Sequence, residues 1–283
     1  MKLEPAVIKE IVTKALEEDI GSGDITTAAT VPVAEEVRAD IVPKEDCVVA
    51  GLPVARGVFR HLDANLSFEE CVKEGENVAA GKKIAALGGF ARPILMGERT
   101  ALNFLQHLCG IATVTRRYVE LVKDTGATIL DTRKTLPGLR HLEKYAVAIG
   151  GGVNHRMGLY DRVLIKDNHL MIQERYGTGG IGRAVALARE KNPGVPIEVE
   201  TASLADVEES LEAGAEYILL DNMSVEELGE AVKLVGERAI TEASGGVSLD
   251  NVREIALTGV QYISIGYLTH SAKAVDISLQ FKR

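Results

Sequence analysis

Along the second half of the chain, short β-branched and apolar runs alternate with polar loops and stretches of helical period. Thr128, Ile129 and Leu130 break off into Asp131, Thr132, Arg133, Lys134 and Thr135, and the same grammar recurs. V-L-I precedes Lys166 and Asp167, I-E-V precedes Glu200, I-L-L precedes Asp221 and Asn222, A-I-T precedes Glu242 and Ser244, and Y-I-S-I precedes Gly266. Apolar runs of this length predict strands buried on both faces, here six of them, each ending in polar chemistry. The later runs centre near Ile197, Leu219, Ile240 and Ile263, spacings of 22, 21 and 23 residues that leave room for one short helix each. Leu204, Val207 and Leu211, then Val225, Leu228, Val232 and Val235, then Leu249, Val252 and Ile255 predict those helices over 203–213, 224–235 and 248–257. Ser203 with Asp206 and Ser224 with Glu227 have capping-box spacing. Strand, polar loop and helix in repeat predict a parallel α/β barrel with its site at the C-terminal strand ends. An open doubly wound sheet would gather its polar residues at one switch point instead.

The first hundred residues follow another pattern. Val7, Ile8, Ile11, Val12, Ala15 and Leu16 predict an amphipathic helix over 5–18, with Pro5 near its start and the Gly21-Ser22-Gly23-Asp24 turn after it. Between 31 and 90, β-like runs at 37–42 and 47–50, punctuated by Pro43, Gly51, Pro53, Gly75, Gly81 and Gly88-Gly89, predict a small sheet domain. Residues 72–87 resemble half of a biotinyl or lipoyl carrier module but lack a carrier-lysine motif, so they read as plain β structure. Over 97–123, Leu102, Leu105, Leu108, Ala112, Val119 and Val122 predict a helical link in two pieces, broken near Gly110. The domains are therefore expected at 1–105 and 106–283, with the last residues packing back on the first domain.

Composition narrows the classes. The chain of 283 residues, 46% hydrophobic and 26% charged, is long enough for two cores. Its longest uncharged run, 100–115, holds Asn103, Gln106 and His107 and fails as a membrane span, while the charged N-terminus lacks the apolar core of a signal peptide. A cytoplasmic protein with no membrane partner is expected. Cys47, Cys71 and Cys109 are odd in number and lack ligand spacing, which predicts buried free thiols rather than disulfides or zinc. A net charge of -9 excludes a surface built for nucleic acid. Locally the balance inverts: between 133 and 169 seven Lys or Arg face three acids. Arg133, Lys134, Arg156 and Lys166 sit beside strands or glycine turns, which predicts a small-anion site at the strand ends.

Glycine turns follow the last two strands, Ser244-Gly245-Gly246 before the helix expected at Ser248, and Gly266 after Ile265. Backbone N–H groups there suit a phosphate, and barrels often bind one after their final strands. Neither G-x-G-x-x-G nor a P-loop occurs. Glu200 and Asp221 close adjacent expected strands. They fit general acid and base, ligands for Mg2+, stabilisers of positive charge on a substrate, or, singly, plain caps and ion pairs. Cations, two carboxylates and a phosphate cradle together suit a phosphorylated sugar passing through a cationic state at its anomeric carbon.

The segments E-R-T-A-L-N (98–103), D-T-R-K-T-L-P-G-L-R (131–140), 143–161 through G-G-G-V-N-H-R-M-G, L-I-K-D-N-H (164–169), E-V-E (198–200), L-L-D-N (219–222), E-A-S-G-G-V (242–247) and S-I-G-Y-L-T-H-S (264–271) resemble the quinolinate phosphoribosyltransferase family, in order and across the whole expected barrel. The resemblance implies an N-terminal α/β sandwich and an incomplete, TIM-like barrel. It implies the reaction of quinolinate with phosphoribosyl pyrophosphate, giving nicotinate mononucleotide, pyrophosphate and CO2 in NAD synthesis. It further implies Mg2+ as cofactor and a homodimer or dimer-based hexamer. By matching position, Arg99 reaches the neighbouring subunit's site, and Arg133, His155, Arg156 and Lys166 hold the acid's carboxylates, with Thr132 and Asn168 among the binding residues. Lys134 belongs with the pyrophosphate end, and Glu200 and Asp221 with the ribose and its metal. Ser244, Gly245, Gly246 and Gly266 belong with the 5′-phosphate, and His270 is among the substrate-binding residues. His107 and Cys109 depart from the family pattern in a helix, which touches packing more than chemistry. A related pyridine phosphoribosyltransferase with another acceptor, or a sensor that binds a phosphoribosyl ligand without turnover, are the competing readings.

Overall fold

The computed structural model describes residues 2–175 and 180–282. Its elements begin α1 (Pro5–Ile20), α2 (Ile25–Thr30), β1 (Glu36–Pro43), β2 (Cys47–Val48), α3 (Leu52–Leu62), β3 (Ser67–Glu70), β4 (Asn77–Val78), β5 (Ala85–Phe90) and α4 (Ala91–Val122). They continue with β6 (Thr128–Leu130), α5 (Arg140–Gly150), β7 (Val163–Ile165), α6 (Asp167–Glu174), α7 (Ile181–Lys191), β8 (Ile197–Thr201), α8 (Leu204–Glu212) and β9 (Tyr217–Asp221). The chain then runs α9 (Val225–Val235), β10 (Ile240–Ser244), α10 (Val252–Leu257), β11 (Tyr262–Ser264), α11 (Tyr267–His270) and β12 (Ile277–Phe281). Two compact units divide it: one holds the chain up to Arg116, Thr135–Gly151 and Tyr267 onward, the other Arg117–Lys134 and Gly152–Gly266. The change of unit thus falls within α4, later than the 105/106 boundary expected, and the chain crosses back twice.

The first unit is built on an antiparallel sheet of order β12-β1-β5-β3 with a separate β2-β4 pair. Period-two burial along β1 places Ala39, Ile41 and Pro43 on the core face, the alternation of a sheet covered on one side. The core-forming helix α3 lies inside the stretch expected to be all sheet. Pro53 opens it instead of breaking a strand, because a missing N–H is harmless in the first turn. Leu52, Val54, Ala55, Val58 and Phe59 of α3 are fully buried, each large side chain contributing roughly 1.5–3 kcal/mol. The Glu74 carboxylate accepts the N–H groups of Gly51 and Leu52 at 3.0 and 2.7 Å, supplying the cap that α3 lacks, and takes the Tyr145 hydroxyl at 2.6 Å. Burial raises the pKa of both Glu74 and Tyr145.

The break expected near Gly110 is absent: α4 runs 32 residues without interruption. Gly110 serves packing, since a Cβ there would strike the Lys273 carbonyl of the returning C-terminal segment. Of the thiols, Cys47 and Cys109 are buried and free as expected, whereas Cys71 is half-buried.

The second unit holds the six expected strands in one parallel sheet of order β6-β11-β10-β9-β8-β7, extended past β6 by a parallel bridge between Leu130 and Val153. This is the incomplete barrel. Ser224 and Glu227 form the expected capping box of α9, and the Ser203 hydroxyl accepts the Asp206 N–H at α8. The helix expected from Ser248 begins only at Val252. Asn251 explains the delay: its carbonyl accepts the Ser248 N–H at 2.8 Å and its amide donates to the Gly246 carbonyl at 3.0 Å, so 246–251 is a locked turn.

Candidate active site

Parallel register decides which side chains share a face. Glu200 pairs with Leu219, Leu219 with Glu242, and Asp221 with Ser244, so Glu198, Glu200, Asp221, Glu242 and Ser244 project to one side of β8, β9 and β10. Two levels result. Glu198 and Glu242 are fully buried, while Glu200, Asp221 and Ser244 are half-buried toward the strand ends.

At the lower level, Asp131, directly after β6 and fully buried, accepts the His155 N–H at 2.9 Å and the Asn154 amide at 2.6 Å. That ties the loop carrying His155 and Arg156 to the sheet. The His155 ring is 8% exposed as a residue, its Nδ1 accepts the Arg156 N–H at 2.6 Å, and its Nε2 lies 3.2 Å from Glu198 and 3.5 Å from Glu242. The ring is thus held among protein groups through both of its nitrogens. Arg162 adds a contact to Glu198 at 3.5 Å and lies over the Tyr217 ring at 4.2 Å. Burial and the neighbouring Glu198 charge push Glu242 well above the usual carboxylate range. Burial also works to raise Glu198, but His155 and Arg162 outweigh it and hold it below. Sequence reading placed Glu242 at a strand end; β10 runs on to Ser244, which puts it in the interior.

At the upper level, Lys166 Nζ pairs with Glu200 at 2.6 Å. The Arg156 guanidinium donates to the Arg162 carbonyl at 3.1 Å, and burial, then the nearby Arg133 charge, lowers its pKa against the pull of Glu198 and Asp161. The positive charges of Arg133 and Arg156 therefore oppose each other in this unit. The Thr132 hydroxyl accepts the Lys134 N–H at 3.0 Å, shaping the turn that presents the exposed Lys134. Asn168 is exposed in the first turn of α6. Asp221 Oδ2 accepts the Asn222 amide at 2.7 Å. Gly245 and Gly246 have φ of 91° and 61°, a conformation that favours glycine, and half-buried Gly266 follows β11. Arg99 and His270 belong to the first unit. Arg99 is exposed on α4, and His270 is exposed at the end of α11, its Nδ1 2.6 Å from the Ser271 hydroxyl.

The upper carboxylates fit Mg2+. One Glu200 oxygen is taken by Lys166 and one Asp221 oxygen by Asn222, leaving one oxygen on each, as suits an ion held by one or two carboxylates and a substrate's phosphates. His155, Glu198 and Glu242 offer ligand atoms within 4.8 Å of one another, and Arg162, 3.5 Å from Glu198, adds positive charge beside them. Asn154, Glu198 and Arg162 are residues of this cluster that the sequence does not single out; for Glu198 and Arg162 the available signal is a charge inside or directly before an apolar strand.

Matching family models describe the quinolinate phosphoribosyl transferase N-terminal domain over residues 24–109 and C-terminal domain over 111–280. The nicotinate-nucleotide pyrophosphorylase [carboxylating] of Mycobacterium leprae is 43% identical over 277 residues, 96% of each chain. Quinolinate phosphoribosyltransferase [decarboxylating] 1b of Nicotiana tabacum is 43% identical over 96% of this chain and 82% of its own. The crystal structure of nicotinate-nucleotide pyrophosphorylase from Ehrlichia chaffeensis superposes with a TM-score of 0.92 at 41% identity, covering 100% of both chains. Fold and site together define a phosphoribosyltransferase with an incomplete barrel. The chain belongs to the quinolinate phosphoribosyltransferase family.

Proposed function

We propose that the chain transfers the phosphoribosyl group of phosphoribosyl pyrophosphate to the ring nitrogen of quinolinate, releasing pyrophosphate and CO2 and leaving nicotinate mononucleotide. The observation that carries this reading is the shared face of Glu200 and Asp221 at the ends of adjacent strands, with Lys166 on Glu200 at 2.6 Å and the opposing charges of Arg133 and Arg156 in the same unit. A dianionic acid set against the guanidiniums relieves a like-charge repulsion that burial makes unfavourable. The carboxylates stabilise positive charge developing at the anomeric carbon.

In this reading Arg133, His155, Arg156 and Lys166, with Thr132 and Asn168, hold the acid, and the His155 ring also accepts the Arg156 N–H. Lys134 faces the pyrophosphate, Glu200 and Asp221 the ribose, and Ser244, Gly245, Gly246, Gly266 and His270 the phosphate end. The ring nitrogen forms its bond to C1 while the C1–O bond to pyrophosphate breaks, its electron pair leaving with pyrophosphate. The bond from the adjacent ring carbon to its carboxylate then breaks. Its electron pair stays beside the cationic nitrogen, and a proton from solvent completes the carbon. The remaining oxygens of Glu200 and Asp221, together with the substrate, would hold Mg2+, which would supply countercharge for pyrophosphate. We also place the protein in the cytoplasm as a homodimer or dimer-based hexamer, Arg99 reaching the partner's site; among the described residues no helix is long and apolar enough to cross a membrane.

Product formation from quinolinate and phosphoribosyl pyrophosphate with Mg2+, beside nicotinate as alternative acceptor, tests the reading. Equal CO2 and pyrophosphate with quinolinate alone is the expected result. Pyrophosphate release with nicotinate in its place would overturn the acceptor, and binding without turnover would overturn the activity.

A further inference from the structure

Asn222 is the one non-glycine residue with positive φ among the described residues, at 56°. Asparagine enters the left-handed region more readily than other side chains, and glycine enters it more readily still. The position therefore gains something from the side chain. Its amide nitrogen donates to Asp221 Oδ2 at 2.7 Å, and its backbone N–H donates to the Ser244 carbonyl at 2.9 Å, carrying the β9–β10 ladder one step past the last paired residues, Asp221 and Ser244. The Asn222 side chain also lies across Gly245, where a Cβ would strike its Oδ1 and come within 2.5 Å of its Cγ. Gly245 itself has φ of 91°. Asparagine at 222 thus requires glycine at 245.

We infer that Asn222 is a positioning residue that aims the Asp221 carboxylate and braces the Ser244-Gly245 turn, so that the ribose-facing and phosphate-facing parts of the site are set by one side chain. The inference rests on the function proposed above, in which Asp221 and this turn serve the phosphoribosyl donor. A mere turn-former at 222 would be replaceable by glycine without kinetic effect, since glycine takes the same φ.

Asn222→Gly keeps the backbone conformation and removes only the amide. KM for phosphoribosyl pyrophosphate is expected to rise about tenfold, the loss of one hydrogen bond to a charged group, with KM for quinolinate within about twofold and a melting temperature within about 3 °C. Gly245→Ala should damage wild type more than it damages Asn222→Gly, because the side chain it strikes is gone. Active wild type whose Asn222→Gly variant shows unchanged donor KM, or equal rises for both substrates, overturns the inference. Should wild type turn over no quinolinate, the proposed function fails separately. Calorimetry with ribose 5-phosphate then decides: about tenfold weaker binding by Asn222→Gly sustains the positioning role, and equal binding overturns it.

Discussion

At the scale of single residues, the fully buried pair Glu198 and Glu242 around His155 is the most demanding chemistry in the chain. Two carboxylates in one dry site oppose each other's ionisation, and here burial and then the Glu198 charge push Glu242 up. Glu242→Gln, a neutral group of the same shape, should therefore fold with stability within about 1 kcal/mol of wild type at or below pH 4.5, whereas Glu242→Ala should lose about 2–4 kcal/mol there. The pH dependence has a definite sign. A carboxyl raised above its ordinary value of 4.5 holds a proton that the unfolded chain releases, so this contribution is full below 4.5 and declines as pH rises toward the folded pKa. Denaturation at several pH values should show Glu242→Gln gaining on wild type from pH 4.5 upward, and a parallel pair of curves would contradict a neutral Glu242. The exposed Lys134 sits at the other extreme: Lys134→Ala should lower kcat by about 100-fold or more while quinolinate binding stays measurable by titration. The charged residues of the upper level were legible in the sequence because charge at a strand end has few uses. The lower level was not, since an acid inside a β run looks like an acid after it until the strand's length is known.

At the scale of elements, the six parallel strands were legible because buried strands are written as apolar runs, and α9 because its capping box is local. What failed were positions whose role the residue type alone does not decide. Pro53 opens α3 instead of punctuating a sheet, Asn251 delays α10, and Gly110 sits inside a straight helix because the Lys273 carbonyl passes over it. Glycine thus carries two opposite meanings in helices of this protein, and substitution separates them. Gly110→Ala forces a methyl against backbone and should cost about 2–4 kcal/mol. Gly229, inside α9, has nothing within 4 Å of where a Cβ would stand, so Gly229→Ala should stabilise by roughly 0.5–1 kcal/mol through backbone entropy. Thermal or urea denaturation of the two variants should move in opposite directions.

At the scale of the whole molecule, two observations bear on self-association. Leu159 and Tyr160, in the loop after Arg156, are 74% and 78% exposed, an apolar surface that association would cover. Arg99 is exposed on α4 in the first unit. If Arg99 completes a partner's site, a chain lacking Arg99 still offers a complete set of strand-end residues, and a chain lacking Lys134 still offers its arginine. Mixing inactive Arg99→Ala with inactive Lys134→Ala under subunit exchange should then restore up to about a quarter of wild-type turnover, because half the dimers are hybrids and each hybrid holds one intact site of two. Labelled subunits would confirm exchange, and sedimentation would give the oligomer. Exchange without recovered turnover would mean that each chain serves only itself. Recovery would explain why an acidic chain concentrates its positive charge at strand ends and also carries an exposed arginine in its other unit: the anionic substrate would be enclosed by cations from two copies, which neither copy must hold together alone.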